Sequence, residues 1–183
     1  MNPALVAYVK TVERINYRVG RFAMYLLFAM MAVLLYSSAT KVLQIPAIWT
    51  LEMAQFLLVA YYLLGAPYSL QLGSNVRMDL LYGRWSPRTR AIWDIFTVFC
   101  LIFYLGVMLY GSVESTIYAF EIGERNPTAW RPVMWPLKLT ITVAFFLMVL
   151  QAFAHLIRDW ATLRGIDLGP YPGGRQHTDA EVM

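Results

Sequence analysis

The sequence predicts an all-α membrane protein, with four transmembrane helices, both termini on the cytoplasmic side, and an N-terminal amphipathic or juxtamembrane helix. Three observations carry that prediction. First, the 183 residues are 59% hydrophobic and only 14% charged, with a mean hydropathy of +0.51. Soluble domains carry roughly 25% charged residues, and one folded domain of this length cannot hide so much apolar surface from water. Second, four stretches contain no charge: residues 22–40, 53–76, 95–113 and 139–154. A bilayer core of about 30 Å needs about 20 helical residues, and backbone groups left unpaired in lipid are costly enough that helices are required. Third, Lys and Arg alternate in density along the chain. Lys10, Arg14, Arg18 and Arg21 precede the first stretch, Arg77, Arg84, Arg88 and Arg90 follow the second, and Arg158, Arg164 and Arg175 follow the fourth. The loop after the first stretch has only Lys41, and the loop after the third has Arg125, Arg131 and Lys138. With both termini inside, eleven basic residues face the cytoplasm against four outside, as the positive-inside rule favours.

The elements follow in order. In residues 4–21, Lys10, Arg14, Arg18 and Arg21 share one helical face, and Leu5, Val9, Val12 and Val19 line another. This segment is either an amphipathic helix on the cytoplasmic surface or a cytoplasmic extension of span one, and its basic face suits anionic lipid. The retained first span covers about 22–41, since no small-residue cleavage pattern follows it. Span two, about 51–71, starts after Pro46 with Thr50 as N-cap, and its Gly65 and Pro67 mark a kink or a close helix contact. Span three, about 90–113, opens with Ser86 as N-cap and Pro87 at the first helical position. No helix breaker follows before Gly123, so a helix from 87 to about 121 projects beyond the outer face. Span four, about 136–157, starts among Pro132, Trp135 and Pro136, with Lys138 snorkelling to the interface. Residues 1–164 thus form a single four-helix domain, and the Gly- and Pro-rich residues 165–183 form a flexible cytoplasmic tail.

The composition excludes several function classes. Haem ligation needs histidines inside spans, and His155 and His177 are the only two, one at a span end and one in the tail. Cys100 is the single cysteine, so neither an internal disulfide nor a metal-ligand pattern is available. The basic residues flank apolar runs rather than forming a face for nucleic acid. No catalytic, cofactor-binding or metal-ligating set emerges, so no cofactor is expected and the chain is read as not an enzyme. The remaining leads are ionisable residues in or beside spans. Glu52, in the first turn of span two, is either a solvated complement to the helix dipole, with Lys41 as an ion-pair partner, or a contact to another subunit. Asp94 and Arg90 are spaced for an i,i+4 pair. Glu114 and Glu121, seven residues apart on one face, offer a docking surface for an extracytoplasmic protein or are simply solvated. The span centres are Leu, Ile, Val, Phe, Met, Tyr and Ala with scattered Ser, Gly, Thr and Pro, rather than the polar or broken helices an independent transporter would need, which points to a supporting subunit.

Several motifs carry a resemblance. Trp49-Thr50-Leu51-Glu52 opens span two, Gly65-Ala66-Pro67-Tyr68 follows within it, and Gly73-Ser74-Asn75-Val76-Arg77-Met78-Asp79 closes it. With Ser86-Pro87-Arg88 and Trp135-Pro136-Leu137-Lys138, these resemble the small, DctQ-type membrane subunit of tripartite ATP-independent periplasmic (TRAP) transporters over roughly residues 10–162. Asn75 stands where that family commonly has His, which leaves the position a hydrogen-bonding role but not one that needs a titratable imidazole. The resemblance implies a scaffold for a larger, DctM-type membrane subunit in a sodium-driven system, to which a periplasmic solute-binding protein delivers an organic anion. It further implies that Arg77 and Asp79 fix the turn after span two, and that Trp49 and Trp135 are interfacial anchors. Two other readings remain: an autonomous four-helix transporter or exporter acting as an oligomer with Glu52 as its coupling carboxylate, and a membrane anchor for a redox complex.

Overall fold

The computed structural model describes residues 3–45, 47–72 and 87–163. Four helices account for nearly all of them: α1 (Pro3–Val42), α2 (Thr50–Gln71), α3 (Pro87–Ile122) and α4 (Trp135–Leu163). Each contains a window apolar and long enough to cross a membrane. Among the described residues there is no strand, only an isolated antiparallel bridge between Arg125 and Val133 in the α3–α4 loop.

The N-terminal segment does not form a separate helix. Pro3–Val42 is one unbroken helix of 40 residues, about 60 Å long at 1.5 Å per residue. Because this is about twice the hydrocarbon thickness, α1 continues well past α2 at its N-terminal end. There it crosses the C-terminal end of α4, burying Val9 and Val12 against Ala154 with Tyr8, Leu150 and Ile157 packed around them. Lys10, Arg14, Arg18 and Arg21 stay exposed on the far side. The segment's alternation of faces therefore records burial against a neighbouring helix.

α1 and α2 pack antiparallel. Thr50 Oγ1 donates to Ser37 Oγ at 3.0 Å at one end, and Tyr68 packs on Gly20 near the other. Thr50 is the first helical residue rather than the N-cap, because its hydroxyl is already engaged by Ser37 and by Ala47 O at 2.8 Å. Trp49 occupies the cap position without a side-chain hydrogen bond. The close helix contact falls at Gly20 instead of Gly65. A Cβ on Gly20 would lie 2.4 Å from the Tyr68 Cβ, whereas one on Gly65 would meet nothing within 4 Å. Pro67 is buried within α2, which runs through it unbroken.

α4 sits between the α1–α2 pair and α3. Small residues allow the backbones to approach: Ala144, Ala152, Ala154 and Ala161 on α4 and Ala119 on α3 are fully buried. Hydroxyls bind α3 to α4, with Thr116 and Thr142 2.9 Å apart and Thr142 Oγ1 donating to Ser112 O at 3.1 Å. α3 ends at Ile122 because Gly123 adopts a left-handed φ of 63°, and Glu124 N–H returns to Ala119 O at 3.0 Å, as in a Schellman stop. The connection to α4 then folds back on itself: Asn126 N–H reaches Pro132 O and Met134 N–H reaches Glu124 O, both at 3.0 Å. Lys138 donates to Glu124 across this loop.

Candidate functional site

Four of the polar residues buried in the described part of the chain gather where α1 crosses the C-terminal ends of α2 and α4, while Ser37, Thr50 and Glu52 are buried at the opposite end. Glu13 is 1% exposed, and Asn16, Gln71 and Gln151 are fully buried. Arg158 grips Glu13 with a two-pronged contact, Nε to Oε1 at 2.5 Å and Nη2 to Oε2 at 2.9 Å. Such a fork fits the guanidinium plane to the carboxylate better than a point charge does. One turn along α1, Asn16 Nδ2 donates to Gln151 Oε1 at 2.7 Å. His155 Nε2 lies 3.1 Å from Leu70 O, tying α4 to the last turn of α2.

This seam joins three helices that are otherwise held by small apolar contacts. Its charges cancel, and several of its hydrogen-bonding atoms have no protein partner: Asn16 Oδ1, Gln151 Nε2 and both amide atoms of Gln71. A buried amide left unpaired costs roughly 1–3 kcal/mol per group, so the seam is polar and constrained. Chemically it can fix helix register. Among the described residues no group of three His, Cys, Asp or Glu side chains is placed to hold a metal ion.

Sequence reasoning did not find this seam. Glu13 and Asn16 lie at i and i+3 beside Val9 and Val12, on the helix face that Leu5, Val9, Val12 and Val19 make apolar. An acid and an amide interrupting an apolar face of a juxtamembrane helix was the available signal, together with Gln151 inside an uncharged run. Only the crossing of α1 over α4 shows that the two belong together.

The residues singled out from sequence are scattered. Glu52 is buried, at 7% exposure, with its Oε2 unpartnered. It is neither solvated nor paired with Lys41, which is exposed. Trp49 and Trp135 are partly exposed at the same end of the bundle, Trp49 tilted against Tyr36 and Trp135 edge-on to Phe120, with ring centroids 5.8 and 6.2 Å apart. Glu114 and Glu121 are both exposed on α3, and Tyr110 donates its hydroxyl to Glu114 at 2.5 Å. Arg21 stacks over Tyr17, its guanidinium carbon 5.9 Å from the ring centroid. Asn75, Arg77 and Asp79, the Ser86 cap and the tail from 165 lie outside the described residues, as do the side chains of the Arg90–Asp94 pair.

Comparison with known proteins adds what geometry alone does not carry. Residues 29–162, well over half the chain, match the family described as tripartite ATP-independent periplasmic transporters, DctQ component. A curated relative, the isethionate TRAP transporter permease protein DctMQ of Oleidesulfovibrio alaskensis, is 26% identical over 110 residues. That match covers 60% of this chain but 17% of the relative, so the chain spans only a small part of that protein's length. No solved structure matches. The motifs around Glu52, Gly65 and Trp135 and the four apolar helices agree with the family match, and the chain belongs to the DctQ component family of the tripartite ATP-independent periplasmic transporters.

Proposed function

We propose that the chain is the non-catalytic small membrane subunit of a sodium-driven TRAP transporter, acting as a scaffold for a larger, DctM-type membrane subunit. The observation that carries this reading is the match to 17% of a permease that contains much more chain. In this reading the large subunit supplies the polar groups arranged around a transport path. Here the buried polar side chains lie toward the two ends of the bundle, with Glu13 on Arg158 and Asn16 on Gln151 at one end and Thr50 on Ser37 at the other. α3 packs on α4 and leaves Phe99, Phe103, Val107 and Tyr110 exposed along its length, an apolar wall suited to lipid and a membrane partner.

In this reading the protein resides in the bacterial inner membrane with both termini cytoplasmic, following the distribution of Lys and Arg. Trp49 and Trp135 anchor the periplasmic interface, and Lys10, Arg14, Arg18 and Arg21 meet anionic lipid on the cytoplasmic side. Asn75, Arg77 and Asp79 fix the α2–α3 turn, and Glu52, buried within the chain, supports the opening of α2 rather than touching the large subunit itself. Glu114 and Glu121 offer a docking surface to a periplasmic solute-binding protein, which delivers an organic anion. The test is co-purification. Tagged chain, extracted in mild detergent from cells expressing its neighbouring genes, is expected to retain a much larger membrane protein. Recovery as a stable monomer, with uptake intact in a strain lacking it, overturns the proposal.

One observation favours a second reading. The unpartnered, buried oxygen of Glu52 is what an ion-coupling site in an autonomous oligomeric transporter would need. Proteoliposomes containing this chain alone decide the matter: transport that Glu52→Gln abolishes supports it, and absence of transport removes it.

A further inference from the structure

A groove of about 480 Å³ opens between the N-terminal half of α1 and the C-terminal half of α2, within the roughly 300–1,000 Å³ range of ligand-binding pockets. Gly20, Ala23, Gly65 and Ala66 keep its floor free of bulky side chains, and Tyr61 and Tyr68 help to wall it. The floor is open at Gly65, where an added Cβ would touch nothing within 4 Å. At its N-terminal end the groove adjoins Arg21, next in sequence to the lining residue Gly20 and one turn from the lining residue Met24. Arg21 is held on Tyr17 by stacking and by a 3.4 Å hydrogen bond to its hydroxyl, and Tyr17 in turn packs edge-on against Tyr68 at 5.9 Å. Arg18, Arg14 and Lys10 continue the exposed basic row. Among the described residues none of these four cations is in an ion pair; the acid nearest them in sequence, Glu13, faces the other way and is taken by Arg158.

We propose that this groove holds one anionic phospholipid, its acyl chain lying over Gly65 and Ala66 and its phosphate met by Arg21 and Arg18. The inference rests on the reading that both termini are cytoplasmic, which places the basic row at the headgroups of the cytoplasmic leaflet. Charge complementarity selects the occupant. A largely apolar trough with the guanidinium of Arg21 beside one end, joined to it through Tyr17 and Tyr68, matches a molecule with an apolar body and one anionic end. A transmembrane helix of a partner would fill the trough but leave the arginines unanswered.

The experiment uses the full chain purified in detergent, delipidated, and titrated with phosphatidylglycerol or phosphatidylcholine while bound lipid is counted by native mass spectrometry. Wild type is expected to take one phosphatidylglycerol in preference to phosphatidylcholine. The double substitution Arg18→Ala/Arg21→Ala is expected to lower phosphatidylglycerol affinity roughly 30-fold, from about 1 kcal/mol per basic residue near a charged surface, and to erase the preference. Gly65→Leu, whose side chain enters open space, is expected to fold normally by circular dichroism and to lose the bound lipid while every arginine remains. Equal binding of both lipids by wild type, or undiminished binding by Gly65→Leu, overturns the proposal. So does a Gly65→Cys variant that cross-links to the large subunit in the co-purified complex. Binding in detergent does not depend on orientation, so failure of the topology reading appears separately, as periplasmic labelling of a Lys10→Cys variant in intact cells.

Discussion

The Glu13–Arg158 pair offers the sharpest test of how the bundle is held. Glu13 is 1% exposed and the Arg158 side chain 13%, so removing either partner leaves a charge in a poorly hydrated site. Breaking a buried pair costs about 3–5 kcal/mol. Because Arg158 lies near the end of α4 and keeps some access to water, ~3 kcal/mol is expected for Glu13→Leu. Arg158→Leu should cost at least as much, since the carboxylate it strands is the more deeply buried partner. The double substitution replaces ion pair with apolar contact beside Val9, Val12 and Ala154 and should return close to wild-type stability, because such exchanges are often neutral or better. Arg158→Lys keeps the charge but loses the fork, and should fall between wild type and Arg158→Leu. Reversible unfolding in mixed micelles, followed by circular dichroism and by the fluorescence of Trp160, measures all four variants. These values imply a coupling energy of about 6 kcal/mol, above the roughly 0.5–3 kcal/mol usual for residues in contact, because each single substitution strands a buried charge. Single substitutions that each cost under about 0.5 kcal/mol, the size of an ordinary surface change, or a strictly additive double, refute it.

Other outcomes follow from the same geometry. Asn16→Leu should cost about 1–3 kcal/mol by stranding the Gln151 amide, whereas Asn16→Leu/Gln151→Leu should be milder than the sum of the two; the same unfolding assay shows this. Gly20→Ala should destabilise by about 1–3 kcal/mol through overpacking. Tyr68→Ala should not rescue it, because the first atom met is the Tyr68 Cβ, and a full rescue would contradict the close approach. Gly123→Ala should cost about 1–2 kcal/mol for a side chain in the left-handed region, Gly123→Asn less, as read from thermal stability. Thr142→Val should cost about 0.6 kcal/mol, the mean for a hydrogen bond between membrane helices; a loss several times larger would mean that the α3–α4 pairing depends on its hydroxyls more than on Ala119 and Ala144.

Much of the architecture was legible along the chain, because the solvent imposes a one-dimensional rule. A span must be apolar and about 20 residues long wherever it lies, so the four helices and the stop at Gly123 could be read without knowing what touches what. The motifs around Trp49, Gly65 and Trp135 likewise preserve enough order to point to the family. What escaped was set by contacts between distant segments. Thr50 has the composition of an N-cap, but Ser37 takes its hydroxyl. Gly65 has the composition of a close contact, but that contact falls at Gly20. Glu52 sits where solvated acids sit, but it is buried in the folded chain.

The sequence by itself determined that this protein lives in lipid, how many helices it presents there and which transporter family it belongs to. These properties follow from composition, run length and local motif. Only the tertiary structure decided that α1 runs unbroken across the end of α4, that Glu13 and Asn16 meet partners some 140 residues away at Arg158 and Gln151, and that a groove opens beside Arg21. The physical reason is that burial of a charge or an amide is a property of the pair and its surroundings, and no single position in the chain carries it.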